Sequence, residues 1–222
     1  MSPWLCLALA YLAGSIPSAY IAGRINGVDL RQHGSGNLGA SNVVRVIGAK
    51  AGAAVFAADL LKGFLPVYFL PLYADTLAPG SWALAFGVAA ILGHGKPVYL
   101  LGKGGGGGKG VATAGGVFFA LAVIPSTIAF LIWLAVFAAT RYSSLASLTG
   151  AVSLPILIFA LNHDPRSGVF LASAIVAAGV VWTHRSNIAR LRRGEENRFE
   201  RRPRAGRAAK VSSEAPDRRP AL

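Results

Sequence analysis

Apolar residues along this chain come in long blocks, separated by short polar stretches in which glycine, lysine and arginine collect. The first block, 4–25, has the length of a membrane span and is interrupted by Gly14 and Pro17. No Lys or Arg precedes it, so the charged leader of a secretory signal is missing and an uncleaved anchor is expected. The second block, 51–72, carries Asp59 and Lys62 three residues apart, on one helix face, where they can pair. Blocks 82–92, 111–139, 145–161 and 169–183 follow.

Positive charge orients these blocks. Arg24, Arg31, Arg45 and Lys50 place the segment after the first block in the cytoplasm and the N-terminus outside. Residues 75–80 carry no positive charge and belong outside, which returns Lys96, Lys103 and Lys109 to the cytoplasm. Arg141 and the basic C-terminus also read as cytoplasmic, so parity requires 111–139 to cross twice, as 111–123 and 126–139 around Pro125. Each half would extend roughly 20 Å at 1.5 Å per residue, short enough for one to be re-entrant, in which case five or six spans remain. The fold class expected is all-α, a polytopic integral membrane protein of about seven transmembrane helices with cytoplasmic polar loops.

Composition agrees: 54% of residues are hydrophobic and 14% charged, too apolar for an ordinary soluble domain. Residues 184–222 hold twelve Lys and Arg against five Asp and Glu, a net +7 of the chain's +13. Next to a membrane segment this reads as an end facing anionic lipid, with no nucleic-acid partner. Two parts are expected, a membrane domain over 1–202 and a basic cytoplasmic tail over 203–222 that lacks apolar periodicity and is expected to be disordered. A lone Cys6 excludes a disulfide framework, and neither a metal site nor a cofactor is expected.

Three polar clusters fall on the cytoplasmic side. The first, HGSGNLGASNVVRVIG over 33–48, combines tight-turn glycines with the neutral hydrogen-bonding groups of Ser35, Asn37, Ser41 and Asn42, and Arg45 offers a two-pronged phosphate contact. The second, GHGKPVYLLGKGGGGGKGVAT over 93–113, sets five glycines between Lys103 and Lys109 ahead of an apolar helical run. Without Cβ atoms, consecutive N–H groups can turn around an anion at a helix N-terminus. A flexible linker remains the other reading. It is not a nucleotide P-loop, because Lys103 stands where that pattern needs glycine and Gly110 where it needs Ser or Thr. His94 reads as a structural helix-end histidine. The third cluster, HRSNIARLRRGEEN over 184–197, places His184, Asn187 and Arg190 at steps of three on one helix face. Arg185, Arg192 and Arg193 read as membrane-surface charge. No G-x-S-x-G turn is present, and the residues five beyond His33, His94, His163 and His184 are not acidic, which removes the His-x4-Asp acyltransferase pattern.

Together, GSIPSAYIAGR (14–24), GSGNLGASNVVRVIG, DLLKGFLPV from Asp59, GH..PVYL with KG…GKGVAT, and H..NIARL…E ending at Glu196 resemble the bacterial membrane acyl-phosphate:glycerol-3-phosphate acyltransferases. The resemblance runs in order across about residues 10 to 200. The family usually has Lys-Gly-Gly-Lys-Gly where this chain has three further glycines, an aromatic where it has Gly102, and Thr where it has Ser41. The resemblance implies a seven-helix fold in the bacterial inner (plasma) membrane, a cytoplasmic site, and acyl transfer from acyl-phosphate to the 1-position of glycerol-3-phosphate, giving lysophosphatidic acid and inorganic phosphate. Carried over by motif, the catalytic set is Ser35, Asn42, Lys109 and His184. The substrate-binding set is Asn37, Arg45, Lys103, Gly104, Gly105, Gly108, Gly110, Thr113 and Asn187. Loop N–H groups and Lys109 would hold the donor phosphate, Arg45, His184 and Asn187 the acceptor phosphate, and Ser35 or Asn42 the developing oxyanion. An organic-phosphate transporter and an acyltransferase using acyl-CoA are the alternatives.

Overall fold

The computed structural model describes residues 1–102, 106–162, 164 and 166–199, and among them all regular structure is helical. Lys103, Gly104, Gly105 and the tail over 203–222 lie outside the described residues. The first block forms α1 (Pro3–Ser15) and α2 (Ser18–Ile25). They part at Pro17, whose missing N–H and fixed φ stop a helix from continuing. After a loop and the short α3 (Ala40–Val46) come α4 (Ala49–Tyr73) and α5 (Pro79–Gly95). A 3-10 turn at Val98–Leu100 precedes the glycine loop, then α6 (Val111–Leu121), α7 (Val123–Thr140), α8 (Ser143–Asn162), α9 (Gly168–Thr183) and α10 (Arg185–Arg193).

Five stretches are long and apolar enough to cross a bilayer: Pro3–Ile25, Ala49–Tyr73, Pro79–Leu100, Val123–Thr140 and Ser143–Asn162. A sixth is added if α9 and α10, bent by 56°, count as one. The seven expected from charge parity included 111–123 as a crossing. With eleven residues, α6 rises only ~16 Å, against a hydrocarbon layer of about 30 Å. Length and composition therefore support five or six. The break also falls at Ala122 and not at Pro125, which sits in the first turn of α7, where its missing N–H has no intrahelical role.

Helix α4 is the hub, packed against α1, α2, α3, α5 and α6. Its crossing with α6 depends on small residues: a Cβ on Gly63 would lie 2.1 Å from the Thr113 carbonyl oxygen, and one on Gly116 1.9 Å from that of Leu60. Backbones can approach this closely only without side chains between them. The contact fixes the start of α6 beside the buried charges of α4. Asp59 and Lys62 pair as their spacing predicts, at 2.8 Å. The Lys62 ammonium also donates to the Ile16 carbonyl at the α1–α2 break, at 2.8 Å. In the apolar interior each charge depends on the other for compensation. His94, in the last turn of α5, lies 3.7 Å from Asp59 Oδ1. On the other side, α7, α8 and α9 pack in sequence, and α9 returns to touch α5 and α6.

Candidate active site

The first polar cluster is built around Asn42, which is 2% exposed. Its amide donates to the carbonyls of Leu30 and His33, both at 3.0 Å, and its Oδ1 accepts the Ser35 N–H at 2.8 Å. Both amide protons are therefore used to shape the loop. Asn42, expected as one of two oxyanion donors, acts instead as the loop's internal brace. Gly34 bends the chain around this brace with φ +63, and a Cβ there would meet Asn42 Oδ1 at 2.3 Å. Ser143 donates to Ser41 at 3.0 Å and ties the loop to the start of α8.

The described part of the glycine loop rests on α5. Gly107 N–H donates to the Gly95 carbonyl at 3.1 Å. A Cβ on Gly108 would lie 2.7 Å from the Leu38 carbonyl oxygen and 2.8 Å from His94 Nε2. Gly108, expected at the substrate, packs beneath the site and is absent from its walls. Gly110 takes φ +77 just before α6, a left-handed conformation that favours glycine. Helix α6 begins with no side-chain cap, and its first residues Val111 and Ala112 border the site. The N–H groups of such a turn have no intrahelical partner and suit an anion. Thr113, also expected at the substrate, is fully buried, with its backbone against Gly63 of α4, and does not line the cleft. One residue further along the helix turns its side chain to a different face.

Lys109 Nζ donates to Asn187 Oδ1. Burial pushes its ammonium down to about 8; Glu196 opposes the shift, and Arg190 and Arg45 add to it. His184, 4% exposed, caps the end of α9. Its Nδ1 lies 2.8 Å from the Val180 carbonyl, which can only accept, so Nδ1 carries the proton and Nε2 is left for a ligand. On α10, Asn187 donates to Glu196 Oε1 at 2.7 Å and Arg190 to Oε2 at 2.8 Å, while Ser144 of α8 donates to Oε1 at 2.8 Å. Burial alone would raise the Glu196 carboxyl, but these bonds and the Arg190 charge hold it below the ordinary range. Arg45 lies nearby, its guanidinium lowered by burial yet still cationic.

Ser35, Asn37, Arg45, Lys109, Gly110, His184 and Asn187 thus surround one cleft of about 240 Å³, together with Asn42. The sequence reading did not single out Ser143, Ser144, Ser147 or Trp133, which line it too. Three serines within the first turns of α8, just after Arg141, were the available signal. The cleft continues into an apolar groove of about 100 Å³ between α4, α6, α7, α8 and α9. Phe56, Val111, Ala112, Trp133 and Ser147 line both. A polar, cationic chamber opening into an apolar channel matches a substrate with a phosphate at one end and a hydrocarbon at the other.

Comparison with known proteins places this geometry. The glycerol-3-phosphate acyltransferase family model matches residues 4–194. The glycerol-3-phosphate acyltransferase of Aquifex aeolicus (strain VF5) is 42% identical over 200 residues, covering 90% of this chain and 100% of that protein. That of Endomicrobium trichonymphae is 43% identical over 196 residues, covering 88% and 94%. Among solved structures, PlsY (YgiH), an integral membrane glycerol 3-phosphate acyltransferase, superposes in its glycerol 3-phosphate form with a TM-score of 0.80 and 39% identity, over 89% of this chain and 96% of that one. Its lysophosphatidic acid form gives 0.77 and 38%, over 89% and 95%. Likeness of this extent, in sequence and in the course of the chain, shows that the protein belongs to the glycerol-3-phosphate acyltransferase family.

Proposed function

We propose that the protein transfers an acyl group from an acyl-phosphate to the 1-hydroxyl of glycerol-3-phosphate, forming lysophosphatidic acid and releasing inorganic phosphate. The observation that carries this reading is the single cleft in which three sequence-remote clusters meet at the mouth of an apolar groove. The acyl chain lies in the groove and the carbonyl at its mouth. The uncapped start of α6 and Lys109 hold the donor phosphate; Arg45 holds the acceptor phosphate, and His184 Nε2, left as an acceptor by the proton on Nδ1, takes a hydrogen bond from a glycerol hydroxyl. Lys103, Gly104 and Gly105 are assigned to the donor from the sequence motif alone. Asn37 supports the acceptor, and Asn187, braced by Glu196, holds Lys109 in place.

The acceptor hydroxyl oxygen forms a bond to the acyl carbon, and the carbon–oxygen bond to phosphate breaks. The proton passes to the departing phosphate, so atoms balance with no outside base. Ser35 donates to the carbonyl oxygen as negative charge develops there, a contact of a kind worth about 3 kcal/mol. An acyl-phosphate is already an activated mixed anhydride, and holding the two reactants in line supplies much of the remaining rate. The site and the C-terminus face the cytoplasm of the bacterial cell, the N-terminus faces out, and the bilayer is the inner (plasma) membrane. The excess of Lys and Arg on one side of the helices supports this placement.

Kinetics of two variants test the division of labour. Lys109→Ala raises KM for the acyl-phosphate at least tenfold with a smaller change for glycerol-3-phosphate, and Arg45→Ala does the reverse. The opposite pattern, or no change in either, would refute the assignment.

A further inference from the structure

The family match ends at residue 194, yet the chain continues across the cleft as a strap, residues 195–199, whose last described side chain lies against Arg45. The Arg45 guanidinium carbon sits 4.5 Å from the centre of the Phe199 ring. One of its terminal nitrogens donates to the Asn197 carbonyl at 3.0 Å. Arg45 is thus gripped on a ring face and at one edge by the same short strap. The strap itself is anchored away from Arg45. Phe199 N–H donates to the Arg141 carbonyl at 3.0 Å, in the α7–α8 corner where Arg141 takes φ +63. The Phe199 ring meets Phe137 edge to face, with centroids 5.4 Å apart and planes at 78°. Arg198 donates to the Thr140 carbonyl at 3.0 Å and lies over Tyr142. Glu196, two positions back, is the buried acceptor for Ser144, Asn187 and Arg190.

We propose that Phe199 is a positioning residue for the acyl transfer. Its ring, fixed by the α7–α8 corner, holds the Arg45 guanidinium plane at the angle from which its remaining N–H groups meet the acceptor phosphate. This rests on the assignment of Arg45 to glycerol-3-phosphate. A long arginine side chain left free would sample many rotamers, and ordering it on binding would weaken affinity. Stacking on an aromatic face removes that freedom in advance and leaves the edge of the fork, where hydrogen bonds form, open to a ligand. The Asn197 carbonyl uses one of five N–H donors, so four remain.

The test is steady-state kinetics of Phe199→Ala and Phe199→Tyr in the full chain, with Arg45→Ala and a thermal denaturation curve beside them. Phe199→Ala is expected to raise KM for glycerol-3-phosphate about 3- to 10-fold, the range of a lost cation–π contact. KM for the acyl donor and kcat stay within twofold, and Phe199→Tyr, which keeps the ring, behaves as the parent. If Phe199→Ala leaves KM for glycerol-3-phosphate unchanged while Arg45→Ala raises it, the positioning role is wrong and the Arg45 assignment stands. If Phe199→Ala lowers every constant together with the denaturation midpoint, the ring serves stability alone and the proposal fails. If Arg45→Ala itself leaves that KM unaltered, the Arg45 assignment falls, and the role of Phe199 with it.

Discussion

The Lys109 ammonium is held close to its own ionisation. Burial lowers it to about 8, so it is charged below that pH and progressively neutral above it. If its charge binds the donor phosphate, kcat/KM for the acyl-phosphate falls as pH rises through 8. Lys109→Arg, always charged, moves that alkaline limb upward; a limb unmoved in Lys109→Arg would assign it to another group. Glu196 makes a second residue-scale prediction. Its carboxylate accepts three bonds, two of them buried, and Glu196→Ala leaves Asn187, Arg190 and Ser144 without their acceptor, at a cost of about 2–3 kcal/mol. Its folded-state pKa is depressed, so the stabilisation is present above the ordinary glutamate range and disappears as acid protonates it. An unchanged denaturation midpoint in Glu196→Ala would contradict this. Residue types and motifs alone put Ser35, Arg45, Lys109, His184 and Asn187 on one list, and the structure brings them into one cleft. They do not reveal direction. Asn42 turns inward as a brace and Thr113 is buried away from the cleft lining, because hydrogen-bond geometry and helix phase decide where a side chain points.

Among the elements, the α4–α6 crossing sets the position of Lys109, because α6 starts two residues after it. Gly63→Ala would push a methyl group onto the Thr113 carbonyl and separate the two helices. The expected cost is about 1–3 kcal/mol of stability, with a loss of activity larger than the loss of folded protein explains. Gly115 offers a milder probe. It borders the apolar groove, and a Cβ there meets nothing within 4 Å. Gly115→Leu is therefore expected to fold normally, raise KM for long-chain acyl donors and spare short ones. Equal effects on both chain lengths would place the acyl chain elsewhere. The blocks of apolar sequence foretold each main helix to within a few residues, and Pro17 foretold the break between α1 and α2. The break at Ala122 was not legible, since nothing in the apolar run 111–139 sets it apart, and the proline nearby was compatible with a first helical turn.

At the scale of the whole molecule, the proposed orientation rests on the charge asymmetry of the loops, and the basic tail follows the strap in sequence. Removing residues 203–222 is expected to leave turnover intact, whereas ending the chain at Gly194 removes Glu196 and Phe199 and abolishes it. Loss of turnover from the shorter deletion, at unchanged expression, would give the tail a role in catalysis. Orientation is open to labelling in a Cys6→Ala background. Leu77→Cys, fully exposed between α4 and α5, should react with an impermeant maleimide from outside the cell, and Gln32→Cys only after lysis. The most direct measurement remains the donor itself. The purified protein is given glycerol-3-phosphate with either acyl-phosphate or acyl-CoA, and inorganic phosphate and lysophosphatidic acid are followed together. The expected result is equal formation of both products from acyl-phosphate, none from acyl-CoA, and an equal fall in both in Lys109→Ala at subsaturating donor. Turnover with acyl-CoA, or uptake of glycerol-3-phosphate into proteoliposomes without turnover, would contradict it.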